Sequence, residues 1–164
     1  MNYSTLFKNN TGIARVGIIG ANGGFGYSFL AQVPKMHDSL SLRVICDLDM
    51  DVSRKLLESL KYDSSRFHPC RNQHDIEQAL KTDDPIIILE DGNLLPWCNI
   101  DVLVEATGSP EVSSVMAEAC LKRGIHVCMV SKEADCVSGP YLYNLARQHN
   151  CVYAIAAGDQ PANL

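Results

Sequence analysis

Residues 15–26 read Arg-Val-Gly-Ile-Ile-Gly-Ala-Asn-Gly-Gly-Phe-Gly. The apolar run from Arg15 to Gly20 has the β-branched composition of a strand, and an apolar helical pattern follows from Phe25 to Val33, where Pro34 removes a backbone donor and ends it. Between them Gly20, Gly23 and Gly26 are spaced Gly-x-x-Gly-x-x-Gly, with Asn22 standing where the commoner Gly-x-Gly-x-x-Gly turn has its second glycine. Each glycine has a physical use in such a turn. Gly20 permits the sharp bend, Gly23 or Gly24 lets backbone N–H groups approach a pyrophosphate, and Gly26 lets the helix lie close to the sheet. A side chain at Gly23 or Gly26 is expected to block a nucleotide without unfolding the domain. The alternative is a tight strand-to-helix turn that binds nothing.

The same alternation continues outward. A second strand spans Ser41 to Asp47; Asp49 and Asp51 then suit helix N-caps, and Val52, Leu56, Leu57 and Leu60 recur at helical spacing. The stretch 62–82 is the least regular, with a helical piece from His74 to Lys81 ahead of Asp83, Asp84 and Pro85. Further strands are predicted at Ile86–Leu89, Asp101–Ala106, His126–Val130 and Cys151–Ala157, all too continuously apolar for a sheet with one wet face. Ser109 caps a helix that has Pro110 at its first position and Gly124 at its close, and Ser138, Gly139 and Pro140 are expected to open another that Asn150 ends. Strands alternating with helices predict an α/β fold: a Rossmann-type, doubly wound parallel sheet of about six strands in the order 3-2-1-4-5-6, with helices on both faces.

Composition narrows the function. The 164 residues are 46% apolar and 20% charged with a net charge of −5, which predicts a folded chain without the basic surface that nucleic acid requires. Seven cysteines form no CxxC pair and no metal-type cluster, so they read as reduced thiols of a cytoplasmic protein. No membrane segment or signal sequence is expected. Residues 1–10 are expected to be a flexible leader and residues 11–164 one dinucleotide-binding domain. That length is short for a two-domain dehydrogenase, so a substrate domain is expected to lie outside this chain.

Chemistry is expected along the carboxyl ends of the strands. Asp47 closes the second strand about twenty positions beyond Gly26, where such folds place an acid that accepts from the adenosine ribose; this favours NAD over NADP, although Arg43 and Arg54 are near in sequence. The alternative is a solvated loop acid. Thr107 can offer a hydroxyl and Gly108 a close approach on the nicotinamide side, or the two can simply form a capped turn. Lys132, after the fifth strand, suits a catalytic role in polarising a carbonyl or holding an anion, or is a surface lysine. Asp159 and Gln160 follow the sixth strand on the substrate side, or form a turn. The cofactor site is therefore predicted to comprise Gly20, Asn22, Gly23, Gly24, Phe25, Gly26, Asp47, Thr107 and Gly108, with no metal.

Residues 27–32, Val104–Val112, Gly124–Asp135 and the run Ala157-Gly158-Asp159-Gln160-Pro161 together resemble the homoserine dehydrogenase-like oxidoreductases that carry a C-terminal SAF domain, a family with deoxyxylulose phosphate reductoisomerase-like members. The resemblance covers nearly the whole chain. It implies an NAD(P)-dependent reductase or oxidoisomerase acting on a small hydroxylated compound, with a following substrate-binding and oligomerisation region and hence a homo-oligomer. Two other readings stay open: a regulatory or sensor module that binds nucleotide without chemistry, and a methyltransferase using S-adenosylmethionine, against which the Thr-Gly-Ser-Pro run at 107–110 speaks.

Overall fold

The computed structural model describes residues 12–156. Strand β1 (Ala14–Ile19) leads into α1 (Gly24–Gln32), then β2 (Leu40–Cys46) and α2 (Met50–Ser59). Next come β3 (Phe67–Pro69), α3 (Gln73–Ala79) and β4 (Ile86–Leu89). The last part runs β5 (Val102–Glu105), α4 (Pro110–Lys122), β6 (His126–Met129), α5 (Lys132–Gln148) and β7 (Tyr153–Ile155).

All paired strands are parallel, in the order β3-β4-β2-β1-β5-β6-β7. This is the expected doubly wound order with one additional edge strand, β3, so among the described residues the sheet has seven strands rather than about six. Three residues ending in proline carry too little alternation to announce β3, which exists by pairing Phe67 with Ile86 and His68 with Ile87.

Side-chain alternation builds two cores. Ile87, Leu89, Leu103 and Met129 face α3, α4 and α5, while Ile18, Ile45, Ile88 and Val104 face α1 and α2. Burial on both faces explains the continuous apolar strands. At ~25 cal/mol per Å² of apolar area, each fully buried Ile or Leu contributes roughly 1.5–3 kcal/mol against chain entropy.

One expectation is corrected. The last long helix does not open at Ser138: α5 is a single helix from Lys132 with Pro140 inside it. Glu133 and Asp135 in its first turn suit the positive end of the helix, Ala134, Leu142 and Leu145 bury its inner face, and Ser138 Oγ donates to Ala134 O at 2.8 Å within the helix. Packing outweighs the missing Pro140 donor. Arg43 also lies away from the glycine turn. The β1–β2 register shifts at this point, with Val16 opposite Leu42 and Gly17 opposite Val44, and Arg43 pairs with Asp84 at 2.5 Å.

The segment Cys151–Ala157 contributes only Tyr153–Ile155 as strand among the described residues. No helix there is long and apolar enough to cross a membrane, and no group of His, Cys, Asp and Glu there could hold a metal ion.

Candidate functional site: a cleft at the carboxyl ends of the strands

Successive strands on either side of β1 wind in opposite directions, which opens a crevice where their carboxyl ends part. A cleft of about 590 Å³ occupies this position, lined among others by Gly20, Asn22, Gly23, Asp47, Glu90 and Thr107. Its lining includes the acids Asp47 and Glu90 and no lysine or arginine. Any anion held by these residues must therefore rely on uncharged donors, the backbone N–H groups and the side chains of Asn22, Asn93 and Ser109.

A further set of backbone donors stands at the start of α1, just beyond the lining residue Gly23. Gly20 has φ +80°, the left-handed conformation that a side chain resists, and the Gly23 backbone accepts from Tyr27 N–H at 2.9 Å as the helix begins. The helix has no side-chain cap, so the N–H groups of its first turn, from Gly24 to Gly26, are left to another acceptor. By contrast, Asp49 caps α2 through Asp51 N–H and Val52 N–H, and Asn72 caps α3 through Asp75 N–H. The helices α4 and α5, which begin at Ser109 and Ser131, likewise make no side-chain cap bond.

The four glycines divide by what surrounds them. A Cβ on Gly20 would run into the backbone of Ala106 and Thr107, and one on Gly26 into the backbone of Ala21. Both are demanded by the fold, which corrects the expectation that a side chain at Gly26 leaves the domain intact. A Cβ on Gly23 meets only Gly20 O at 3.5 Å, and one on Gly24 meets nothing within 4 Å. Neither is required by protein contacts, so bare backbone at 23 and 24 keeps space open outside the chain.

Asp47 sits where β2 ends, and its carboxylate is already partly engaged. Oδ2 accepts from Asn22 N–H at 2.7 Å and Oδ1 from Leu48 N–H at 2.7 Å, leaving further acceptor capacity on each oxygen. Asn22 is fastened on its other side as well, its Oδ1 accepting from the Ser53 hydroxyl at 3.1 Å. Beside it the Cys46 thiol is pushed up to about 12, by burial first and then by Asp47 and Asp91, so it is no nucleophile. Leu48, 91% exposed, offers an apolar surface at the rim.

Thr107 corrects a second expectation. Its hydroxyl donates to Glu105 Oε1 at 2.6 Å and lies 3.2 Å from Ser109 N–H and 3.0 Å from Ser113 Oγ. With its one proton given to Glu105, the hydroxyl is not free to donate into the cleft. Gly108 has φ +69°, and its N–H donates to Ser131 Oγ at 2.9 Å, tying this turn to the start of α5. Half-buried Lys132 is the first residue of that helix and, like Gly24, Phe25, Gly26 and Gly108, does not line the cleft. Phe25 stacks on Phe29 with centroids 6.3 Å apart. Asp159 and Gln160 lie outside the described residues.

Sequence reasoning missed Glu105, fully buried beneath the turn, and Glu90 and Leu48 at the rim. For Glu105 the signal was present: a charged residue closing an otherwise apolar strand.

Residues 22–156 match the family described as the homoserine dehydrogenase NAD-binding domain. No curated protein sequence matches the chain. Among solved structures, 1-deoxy-D-xylulose 5-phosphate reductoisomerase from Zymomonas mobilis in complex with NADPH is similar at 14% identity and TM-score 0.61, over 88% of this chain and 38% of that one. The WlbA dehydrogenase from Bordetella pertussis, in complex with NADH and UDP-GlcNAcA, is similar at 16% identity and TM-score 0.64, over 88% and 38%. Homoserine dehydrogenase from S. aureus gives 16% identity and TM-score 0.56, over 87% and 32%. At these identities the likeness is one of fold, and the chain spans well under half the length of each.

Proposed function

The chain belongs to the family of homoserine dehydrogenase NAD-binding domains, and on that premise we propose that its cleft holds an NAD(P) dinucleotide as the nucleotide-binding part of a longer oxidoreductase acting on a small hydroxylated metabolite. The observation that carries this reading is the start of α1. It is a helix N-terminus without a side-chain cap, fronted by two glycines that no protein contact requires, beside a crevice where the sheet changes direction. A pyrophosphate supplies the acceptor that the first-turn N–H groups lack, and the described lining offers it uncharged donors rather than lysine or arginine. The dinucleotide, when bound, supplies a hydride acceptor or donor.

The protein's own residues divide the remaining work. Asp47 accepts from the ribose with its remaining lone pairs and disfavours a 2′-phosphate, so NAD is the preferred form. Leu48 gives the base an apolar wall. Lys132, next in the chain to the Ser131 that holds the Gly108 turn, is assigned to work on the substrate, as Asp159 and Gln160 are from their sequence positions alone, and the substrate domain is contributed by chain outside this one.

Calorimetric titration of the chain with NADH and NADPH tests the reading. Saturable binding of NADH that Gly23→Val abolishes in a folded protein is the expected result. Absence of binding by both dinucleotides sinks it.

A further inference from the structure

Strand β5 ends in a side chain that the cofactor reading does not use. Glu105 is 0% exposed, and its neighbours in the strand, Leu103 and Val104, are core residues. A carboxylate in this setting is costly unless its oxygens are paired. One of them is: Oε1 accepts from Thr107 N–H at 2.9 Å and from the Thr107 hydroxyl at 2.6 Å. The other, Oε2, is buried and has no hydrogen-bond partner among the described residues. A packed apolar residue would avoid that cost, so an acceptor beneath Thr107 is retained at the expense of packing.

The consequence falls on the turn that rims the cleft. With its proton directed down to Glu105, the Thr107 oxygen takes Ser109 N–H and the Ser113 hydroxyl as donors, the only assignment that satisfies all three contacts when Glu105 is ionised. The next residue, Gly108, is held by Ser131. Residues 107–109 are thus fixed from below, while Thr107 and Ser109 line the cleft. Among the described residues, nothing outside its chain neighbours lies within 4 Å of the position where a Gly108 Cβ would stand.

We propose that Glu105 is a positioning residue for dinucleotide binding, acting through Thr107 to hold the 107–109 turn in the shape that receives the cofactor. This rests on the cofactor reading above. The acceptor atom, rather than the charge, is what the role requires. Glutamine at 105 keeps a carbonyl oxygen toward Thr107 and leucine does not; serine at 107 keeps the hydroxyl and valine does not.

The test is calorimetric titration of NADH into the whole chain and into Glu105→Leu, Glu105→Gln, Thr107→Val, Thr107→Ser and the Glu105→Leu/Thr107→Val double variant, each also melted without ligand. Glu105→Leu and Thr107→Val are each expected to weaken binding about tenfold, and the double variant by less than the product of the two, because both remove the hydroxyl bond to Oε1 while Thr107→Val alone keeps the Thr107 N–H bond to it. Glu105→Gln and Thr107→Ser are expected to remain within about threefold of the parent. Unchanged affinity in a folded Glu105→Leu overturns the proposal, as does equal loss in Glu105→Gln and Glu105→Leu, which would mark a packing role. If Glu105→Leu does not fold, Thr107→Val decides: parental affinity there overturns the proposal. A parent that binds no dinucleotide refutes the cofactor reading and this proposal with it, whereas a binding parent with indifferent variants refutes this proposal alone.

Discussion

Asn22 N–H donates to Asp47 Oδ2 at 2.7 Å, so the acid that closes β2 holds the glycine turn that follows β1. Residues 25 positions apart are joined by a bond to a charged acceptor, of a kind that contributes roughly 1.5–3 kcal/mol. Asp47→Ala is therefore expected to lower stability by about 1–2 kcal/mol, discounted because the pair is only partly buried. Urea unfolding checks this, and a variant as stable as the parent would show that the turn holds itself.

The glycines give a paired prediction. Gly26→Ala forces a methyl group into the Ala21 backbone and is expected to cost 2 kcal/mol or more, by the rough scale for overpacking. Gly23→Ala meets one atom at ordinary contact distance and is expected to change stability by less than about 0.5 kcal/mol, while weakening dinucleotide binding. Thermal melts set against NADH titrations separate the two. Equal destabilisation by both substitutions would remove the distinction between a glycine the fold needs and one a ligand needs.

How far the sequence could be read follows from where the information was local. The turn Gly20–Gly26, the apolar strands and the caps at Asp49 and Ser109 each depend on residues a few positions apart, and each stands close to its expected place. The strand β3 is defined by partners in β4, the unbroken α5 by packing that outweighs Pro140, and the position of Arg43 by a register shift and Asp84. None of these has a local signature. In the site, Gly20, Asn22, Gly23, Asp47 and Thr107 line the cleft while Gly24, Phe25, Gly26 and Gly108 do not, and the Thr107 proton points to Glu105, a direction that sequence position does not carry.

The opposite rim of the sheet supplies a pH prediction. Asp101 accepts from Arg15 Nε at 3.0 Å, Nη2 at 2.5 Å and backbone N–H at 2.8 Å, and these bonds, the guanidinium first, hold its carboxyl below the ordinary range against the opposing effect of burial. A depressed folded-state value means stability that is present above the unfolded value of about 3.9 and lost as pH falls through the folded one. Both side chains are 37% exposed, so solvent screening limits the contribution to about 1 kcal/mol. Asp101→Asn should thus be less stable than the parent at neutral pH and converge with it in acid. A gap in urea midpoints that persists unchanged below pH ~3 would contradict this.

Lys132 stands at the start of α5, one residue from the Ser131 hydroxyl that holds Gly108. Its proposed work lies on the substrate side. Lys132→Ala is expected to leave NADH affinity within about threefold, since no direct dinucleotide bond is assigned to it, and to lower turnover of the complete oxidoreductase at least tenfold. Parental steady-state kinetics would return it to the surface lysines.

Cofactor choice turns on Asp47 and on what can replace it. Its carboxylate oxygens keep acceptor capacity for ribose hydroxyls after taking Asn22 N–H and Leu48 N–H, and charge-assisted bonds of this kind contribute roughly 1.5–3 kcal/mol each. A 2′-phosphate would meet the same carboxylate as a like charge, with Glu90 as a second acid in the lining. NADH is therefore expected to bind at least about tenfold more tightly than NADPH, a difference of ~1.4 kcal/mol. Asp47→Ser should narrow that gap by weakening NADH, through both the ribose and the loosened Asn22, rather than by strengthening NADPH. Arg43, the nearest arginine on β2, is paired with Asp84, and Arg54 is in a surface pair with Asp51 at 3.3 Å. Titrating both dinucleotides into both proteins decides the matter. Equal affinities in the parent would mean that the Asp47 carboxylate serves the turn alone, and a gain in NADPH affinity on Asp47→Ser would mean that an arginine leaves its aspartate to take the phosphate.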